Sequence, residues 1–200
     1  MCIRDRAMGK VDWMVNVNIF DNETCSFWKG PGMDPSQIKT EVFFLPCAGF
    51  FEKEGSITNS GRWMQWRYKA VEPAGESLPD GEIISELVHK VKTLVKEKGS
   101  KFPDPIMNMT WDYGPKKQDG SLRRLDTHEV AKEINGYFMQ DKEIKGTLYK
   151  KGTLVPSFAF LQDDGSTCSG NWLYCQSYNA SGNNAARRNN KDESGIGLHS

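Results

Sequence analysis

Apolar and polar positions alternate from Val11 to Ile19. Val11, Trp13, Val15, Val17 and Ile19 share one parity, and Asp12, Asn16 and Asn18 lie on the other with Met14 between them. A period of two predicts a strand with one apolar face. The next run, Val42-Phe43-Phe44-Leu45, is continuous and ends at Pro46. That pattern suits a strand covered on both faces, as in a parallel sheet. A polar loop over 21–39, carrying Pro31, Gly32 and Pro35, separates the two. Residues 55–61 read as a turn-rich connection, and 62–68, with Trp63, Trp66 and Tyr68, as another strand.

Helical spacing then takes over. Ile83, Ile84, Leu87, Val88, Val91, Leu94 and Val95 form one stripe, with Asp80 placed as N-cap, Lys96 and Lys98 in the last turn, and Gly99 as terminator. Residues 100–125 are rich in Lys, Pro, Gly and Asp and read as a long connection with a short strand at 107–113. A second helix is predicted from Asp126, whose spacing to Glu129 suits a capping box, to a stop at Asn135-Gly136. Beyond it, 147–161 reads as a hairpin turning at Lys150-Lys151-Gly152, and 172–178 as a further strand. From Asn179 onward polar and charged residues replace nearly all large apolar ones, which predicts a tail that is disordered or needs a partner segment to order it.

The expected fold class is therefore α/β. A partial open sheet with a packed helix occupies 9–99, a mixed α+β insert occupies 100–178, and the polar tail 179–200 follows. Residues 1–8, ending at a second methionine, read as a cloning or assembly scar and carry no weight in the fold argument.

Composition narrows the function. Two hundred residues suffice to bury a core, and 26 basic against 26 acidic side chains leave no net charge to attract a polyphosphate. Nucleic acid is not an expected partner. The longest apolar stretch, 42–51, is interrupted by proline and is about half of what a spanning helix needs. Cys25, Cys47, Cys168 and Cys175 show no C-x-x-C spacing, so no structural zinc site is expected.

No self-contained catalytic motif is present. His89, His128 and His199 stand in no H-x-x-x-H frame and read as surface histidines, and no nucleophile elbow, phosphate-binding loop or dinucleotide fingerprint occurs. Trp63 and Trp66 are three apart in a predicted strand, so they point to opposite faces and make no single stacking platform. Two polar groups remain. The first is Asn18, Asn22 and Thr24, just past the first strand, where open α/β sheets bind ligands. An amide offers a donor and an acceptor that can match a purine edge, and it also caps turns; both readings stand at this point. The second is the loop from Glu54 to Arg62, with Asn59 between, in which a carboxylate, hydroxyls, an amide and a guanidinium crowd between glycines. A solvated loop with a Glu54 to Arg62 ion pair is the alternative.

Glu52-Lys53-Glu54-Gly55-Ser56-Ile57-Thr58-Asn59-Ser60-Gly61-Arg62-Trp63-Met64-Gln65 resembles a segment of the molybdopterin oxidoreductases, with the pattern Glu-Lys-Glu-Gly-(Ser/Thr)-x-(Thr/Ser)-Asn-x-x-Arg-x-x-Gln. Lys69-Ala70-Val71-Glu72-Pro73 and Pro79-Asp80 resemble the same family's next segment. Phe27-Trp28-Lys29-Gly30-Pro31-Gly32, Thr40 to Pro46 and Asp164-Gly165-Ser166-Thr167 are more narrowly similar to large subunits of respiratory-type formate dehydrogenases. The likeness covers most of residues 11–190.

This resemblance implies an internal piece of a catalytic subunit, comprising the end of a molybdopterin-dinucleotide-binding domain and the insert after it. Such subunits hold molybdenum or tungsten on two molybdopterin guanine dinucleotides (bis-MGD). They oxidise formate to carbon dioxide and pass electrons through a 4Fe-4S cluster to an iron–sulfur subunit and, in the membrane-associated type, a cytochrome subunit. The resemblance also implies a periplasmic location. By carry-over, Asn18, Asn22, Thr24, Glu54, Asn59 and Arg62 are the expected cofactor-binding residues. Asn18 stands where many relatives have Asp, which accepts from both N–H groups of guanine's edge. The family's cluster cysteines and metal ligand have no counterpart among these residues, so no catalytic or metal-binding residue is expected here, and the piece alone is expected to be inactive. Another molybdopterin oxidoreductase, of the nitrate reductase kind, and a non-catalytic Trp-rich binding module are the alternatives.

Overall fold

The computed structural model describes residues 3–58, 64–168 and 174–186. It is a mixed α/β chain whose strands, among the described residues, pair two by two. Two compact units divide it: residues 1–53 with 69–84, and residues 54–68 with 85–200. The division differs from the expected boundary at 99/100, because the segment 54–68 joins the later residues. Helix Asp80–Lys98 gives 80–84 to the first unit and the rest to the second.

In the first unit a short helix, α1 (Ile3–Met8), formed by residues read as a scar, precedes β1 (Trp13–Asn18). β1 pairs in parallel with β2 (Glu41–Pro46), from Trp13 opposite Glu41 to Asn18 opposite Pro46. Both strands follow the sequence pattern. The expected cover on both faces is not met within this chain: among the described residues nothing shields Trp13, Val15, Val17, Phe43 and Leu45, which are 40–63% exposed. The buried residues are instead Cys25 and Phe27 in the loop after β1, with Cys47 and Ala48 after β2. Cys47 bridges Leu78, and the Ala48 amide donates to the Leu78 carbonyl at 2.9 Å, which carries the β2 exit back alongside a later segment. The Glu52 carboxylate closes this corner by accepting from the amides of Gly49 (2.6 Å) and Ala74 (3.3 Å).

The second unit opens with a hairpin, β3 (Gly55–Thr58) against β4 (Met64–Arg67), with Ser56 opposite Trp66. β3 replaces the expected connection. Its glycine and small polar residues carry no apolar period, and the strand forms because β4 offers a partner. Helix α2 (Asp80–Lys98) follows the apolar stripe and stops at Gly99, whose φ of +76° takes the left-handed terminating conformation. Asp80 begins the helix, and its carboxylate pairs with Lys53 at 2.5 Å. The expected strand at 107–113 is absent. A single helical turn, α3 (Asp104–Met107), stands there with prolines at its start, and Trp111 Nε1–H donates to Ser85 Oγ at 2.9 Å.

Helix α4 (Thr127–Asn135) starts as expected, with Asp126 accepting the His128 amide at 2.9 Å, and ends at Gly136. Glu129 pairs with Lys132 instead of completing a capping box. The hairpin lies earlier than expected: β5 (Lys142–Ile144) and β6 (Thr147–Tyr149) turn at Lys145-Gly146, with φ of 51° and 78°. Gly152 turns the chain back so that its amide donates to the Phe138 carbonyl at 2.7 Å. Phe138 and Val155 are fully buried and form the core with Cys175, under Tyr149 stacked on Phe138 at 4.8 Å. Buried Asn135 ties three segments: its Nδ2 donates to the carbonyls of Gly136 (3.1 Å) and Val155 (3.2 Å), and its Oδ1 accepts the Gln176 amide (2.7 Å).

The expected tail is ordered at its start. β7 (Tyr178–Asn179) and β8 (Gly182–Asn183) form a small hairpin followed by a 3-10 turn at Asn184–Ala186. The polar residues there satisfy one another locally, as in Ser181 N–H to Asn179 Oδ1 at 3.0 Å, and need no apolar period. Of the expected strand over 172–178, residues 172–173 lie outside the described residues, as does 187–200 of the tail. No helix among the described residues is long and apolar enough to cross a membrane.

Candidate functional site

The turn after β1 is built by side-chain oxygens capturing backbone amides. Asn22 Oδ1 accepts from the amides of Thr24 (3.0 Å) and Cys25 (3.1 Å), and the Ser26 amide donates to the Asn22 carbonyl at 2.9 Å. Asn18, the last residue of β1, accepts the Ile19 amide on its Oδ1 at 2.9 Å, and its Nδ2 lies 4.0 Å from Cys25 Sγ. Asn18, Asn22 and Thr24 are thus gathered around buried Cys25 at the carboxyl end of a parallel strand pair, each half-buried. Next to them Asp21 accepts from the Ser26 hydroxyl and pairs with Lys29 at 3.1 Å; the hydroxyl first and the ammonium second hold its carboxyl below the usual range.

Asn16 joins this group. It sits two residues before Asn18, on the same face of β1, and its Nδ2 is buried with no partner among the described residues. Sequence reading passed over it as one polar position of an alternating strand. The parity it shares with Asn18 was the available signal.

Glu54 is gathered elsewhere, in the second unit. Its Oε1 accepts from Trp66 Nε1–H at 3.2 Å and from His128 Nε2 at 3.0 Å. A carboxylate is an acceptor, so the His128 proton that meets it is on Nε2. The His128 ring stands 4.7 Å from the Trp66 ring and edge-on to Tyr178 at 5.8 Å. His128, read from the sequence as a surface histidine, is about one-third exposed and fastens the start of β3 to the first turn of α4. No spacing rule links residues 74 positions apart, so the sequence held no signal for this pair. Asn59 and Arg62 lie outside the described residues.

A cleft of about 270 Å³ in the second unit is lined by Ser85, His89, Lys92, Met109, Trp111 and Ser121 among others. Its main polar groups are engaged inside the protein: the Lys92 ammonium meets the carbonyls of Met107 and Met109, and the indole meets Ser85. Among the described residues no group of three or more His, Cys, Asp or Glu side chains is placed to hold a metal ion. Burial raises the thiols of Cys47 and Cys175 above their ordinary value, which disfavours the thiolate a metal requires.

The formate dehydrogenase alpha subunit of Megalodesulfovibrio gigas is 52% identical over 182 residues, 91% of this chain and 18% of that protein. The chain is homologous to formate dehydrogenase alpha subunits. Formate dehydrogenase 2 subunit alpha (cytochrome c-553) of Nitratidesulfovibrio vulgaris is 43% identical over 91% of the chain and 17% of its own length. The nitrate-inducible formate dehydrogenase major subunit of Escherichia coli K12 is 42% identical over 96% of the chain and 19% of its own length. The chain spans less than one-fifth of each of these relatives, and the matches run through both the asparagine turn and the Glu54 hairpin. No protein-family model matches the chain.

Proposed function

We propose that this chain is part of the alpha subunit of a formate dehydrogenase, and that its asparagine turn helps to hold one dinucleotide arm of a bis-MGD cofactor carrying molybdenum or tungsten. The observation that carries the reading is the 52% identity over 91% of the chain to such a subunit. In the whole protein, formate is the substrate, and electrons leave through a 4Fe-4S cluster, whose ligands lie outside these residues, to an iron–sulfur subunit. A membrane cytochrome subunit completes the respiratory type, with the catalytic subunit in the periplasm. Within that subunit this chain comprises the end of a dinucleotide-binding domain followed by an insert.

The residues at the turn fit a nucleotide. They lie past the carboxyl end of a parallel strand, where backbone and short polar side chains meet ligands in open α/β sheets. The Nδ2 of Asn16, buried and without a partner among the described residues, is a polar group of the kind a ligand satisfies. Asn18 and Asn22 would orient the nucleotide, with Thr24 and Cys25 as the cap that fixes Asn22. The chemistry the bound group supplies is two-electron oxidation of formate to carbon dioxide. This chain contributes binding and orientation: Asn22 is locked by two amides, and Glu54 with His128 braces the start of β3.

The test uses the full-length subunit. Asn18→Ala and Asn22→Ala are expected to lower both metal content, measured by plasma mass spectrometry, and guanine released on denaturation. Full content of both in both variants would overturn the assignment.

A further inference from the structure

Helix α2 is turned inside out with respect to this chain. Ser85, His89 and Lys92 share one side of it, and that polar side faces the protein: Ser85 is buried and its Oγ accepts the Trp111 indole N–H at 2.9 Å, and the Lys92 ammonium meets the carbonyls of Met107 and Met109. Leu87 and Leu94, seven residues apart, lie on the opposite side and are 61% and 47% exposed. Surface helices ordinarily show the reverse, with the apolar stripe toward the core. Lys90 and Lys98 stand three and four residues from these leucines, on the same outward side, exposed and in no ion pair among the described residues, whereas Lys117 meets Glu86 at 3.1 Å.

We infer that the Leu87–Leu94 side of α2 is a docking face for another part of the same alpha subunit, one with an apolar centre and Asp or Glu side chains at its rim. The inference rests on the proposed reading of the chain as a piece of that subunit and goes beyond it. A leucine stripe along a helix of 19 residues needs cover, and the elements of a domain cover one another. More than four-fifths of each relative's length lies outside the matched residues, so the same polypeptide has the material to supply it. The two lysines fix the chemistry of the rim, because an ammonium that loses water beside an apolar contact needs a carboxylate.

The test uses the unmodified holoenzyme first. Lys90 and Lys98 are expected to react with an acetylating ester about tenfold more slowly in the native holoenzyme than in urea, the protection of a covered site. Zero-length carbodiimide coupling is expected to join them to Asp or Glu of the alpha subunit outside these 200 residues. Unprotected lysines would overturn the inference, as would coupling to the iron–sulfur subunit alone or to a second copy of this chain. Leu87→Met should keep the thermal midpoint of the holoenzyme and Leu87→Asp should lower it, since a covered face accepts an apolar side chain of similar volume and rejects a carboxylate. A parental midpoint in Leu87→Asp would also count against a covered face. Any of these failures in a holoenzyme that retains its metal and guanine leaves the cofactor reading intact. A full-length protein without metal or guanine would instead overturn that reading, while labelling and coupling would still decide the docking face.

Discussion

Glu54 shows how one acceptor organises two elements. Its Oε1 serves an indole and an imidazole, and Trp66 is nearly fully buried. Removing the carboxylate strands the buried indole N–H, and a buried donor left without a partner costs about 1–3 kcal/mol. Glu54→Ala is expected to lose about that much unfolding free energy in urea denaturation. Glu54→Gln keeps an oxygen and should lose less. Equal losses for the two variants would show that the charge, not the acceptor, holds the hairpin. Of the two asparagine readings of the sequence, the turn-capping one is seen directly: Asn22 accepts the amides of Thr24 and Cys25 on its side-chain oxygen.

Among the elements, those with a strong local period were legible. β1, β2, α2 and α4 appear where alternation, an unbroken apolar run, helical spacing and an N-cap placed them. β3 was not, because Gly55 to Thr58 has no apolar alternation and owes its conformation to β4. The hairpin near 147 was misplaced because two Lys-Gly turns compete, at 145–146 and 151–152, and only packing against Phe138 decides between them. The turn at Asp163 to Ser166 makes a testable contribution. The Lys142 ammonium, and then the Ser166 amide, hold the Asp164 carboxyl far below the usual carboxylate range. A folded-state pKa below the unfolded value, about 3.9 for Asp, gives stability that is present above that value and lost as pH falls beneath it. The thermal midpoint of the parent should therefore drop on acidification below about pH 4. In Lys142→Met the drop should be smaller. A parallel acid response in parent and variant would discount the pair.

At the scale of the molecule, no group of side chains among the described residues is placed to hold a metal ion. The 200-residue chain alone is expected to reduce no dye with formate and to hold no molybdenum. Formate-dependent dye reduction above a metal-free control would refute this and, with it, the placement of the catalytic centre outside these residues. The sequence by itself determined the principal strands and helices, because period and capping are local, and it determined the relationship to formate dehydrogenases, because motifs survive in linear order. It also pointed to Asn18 and Asn22, as polar residues directly past a strand. Tertiary structure alone decided that the hairpin from Glu54 joins the later unit and that His128 leaves the surface to meet Glu54. It alone decided that the Asn22 oxygen accepts two backbone amides. Each of these depends on which groups approach one another in space, and hydrogen-bond polarity is fixed only when both partners are in place.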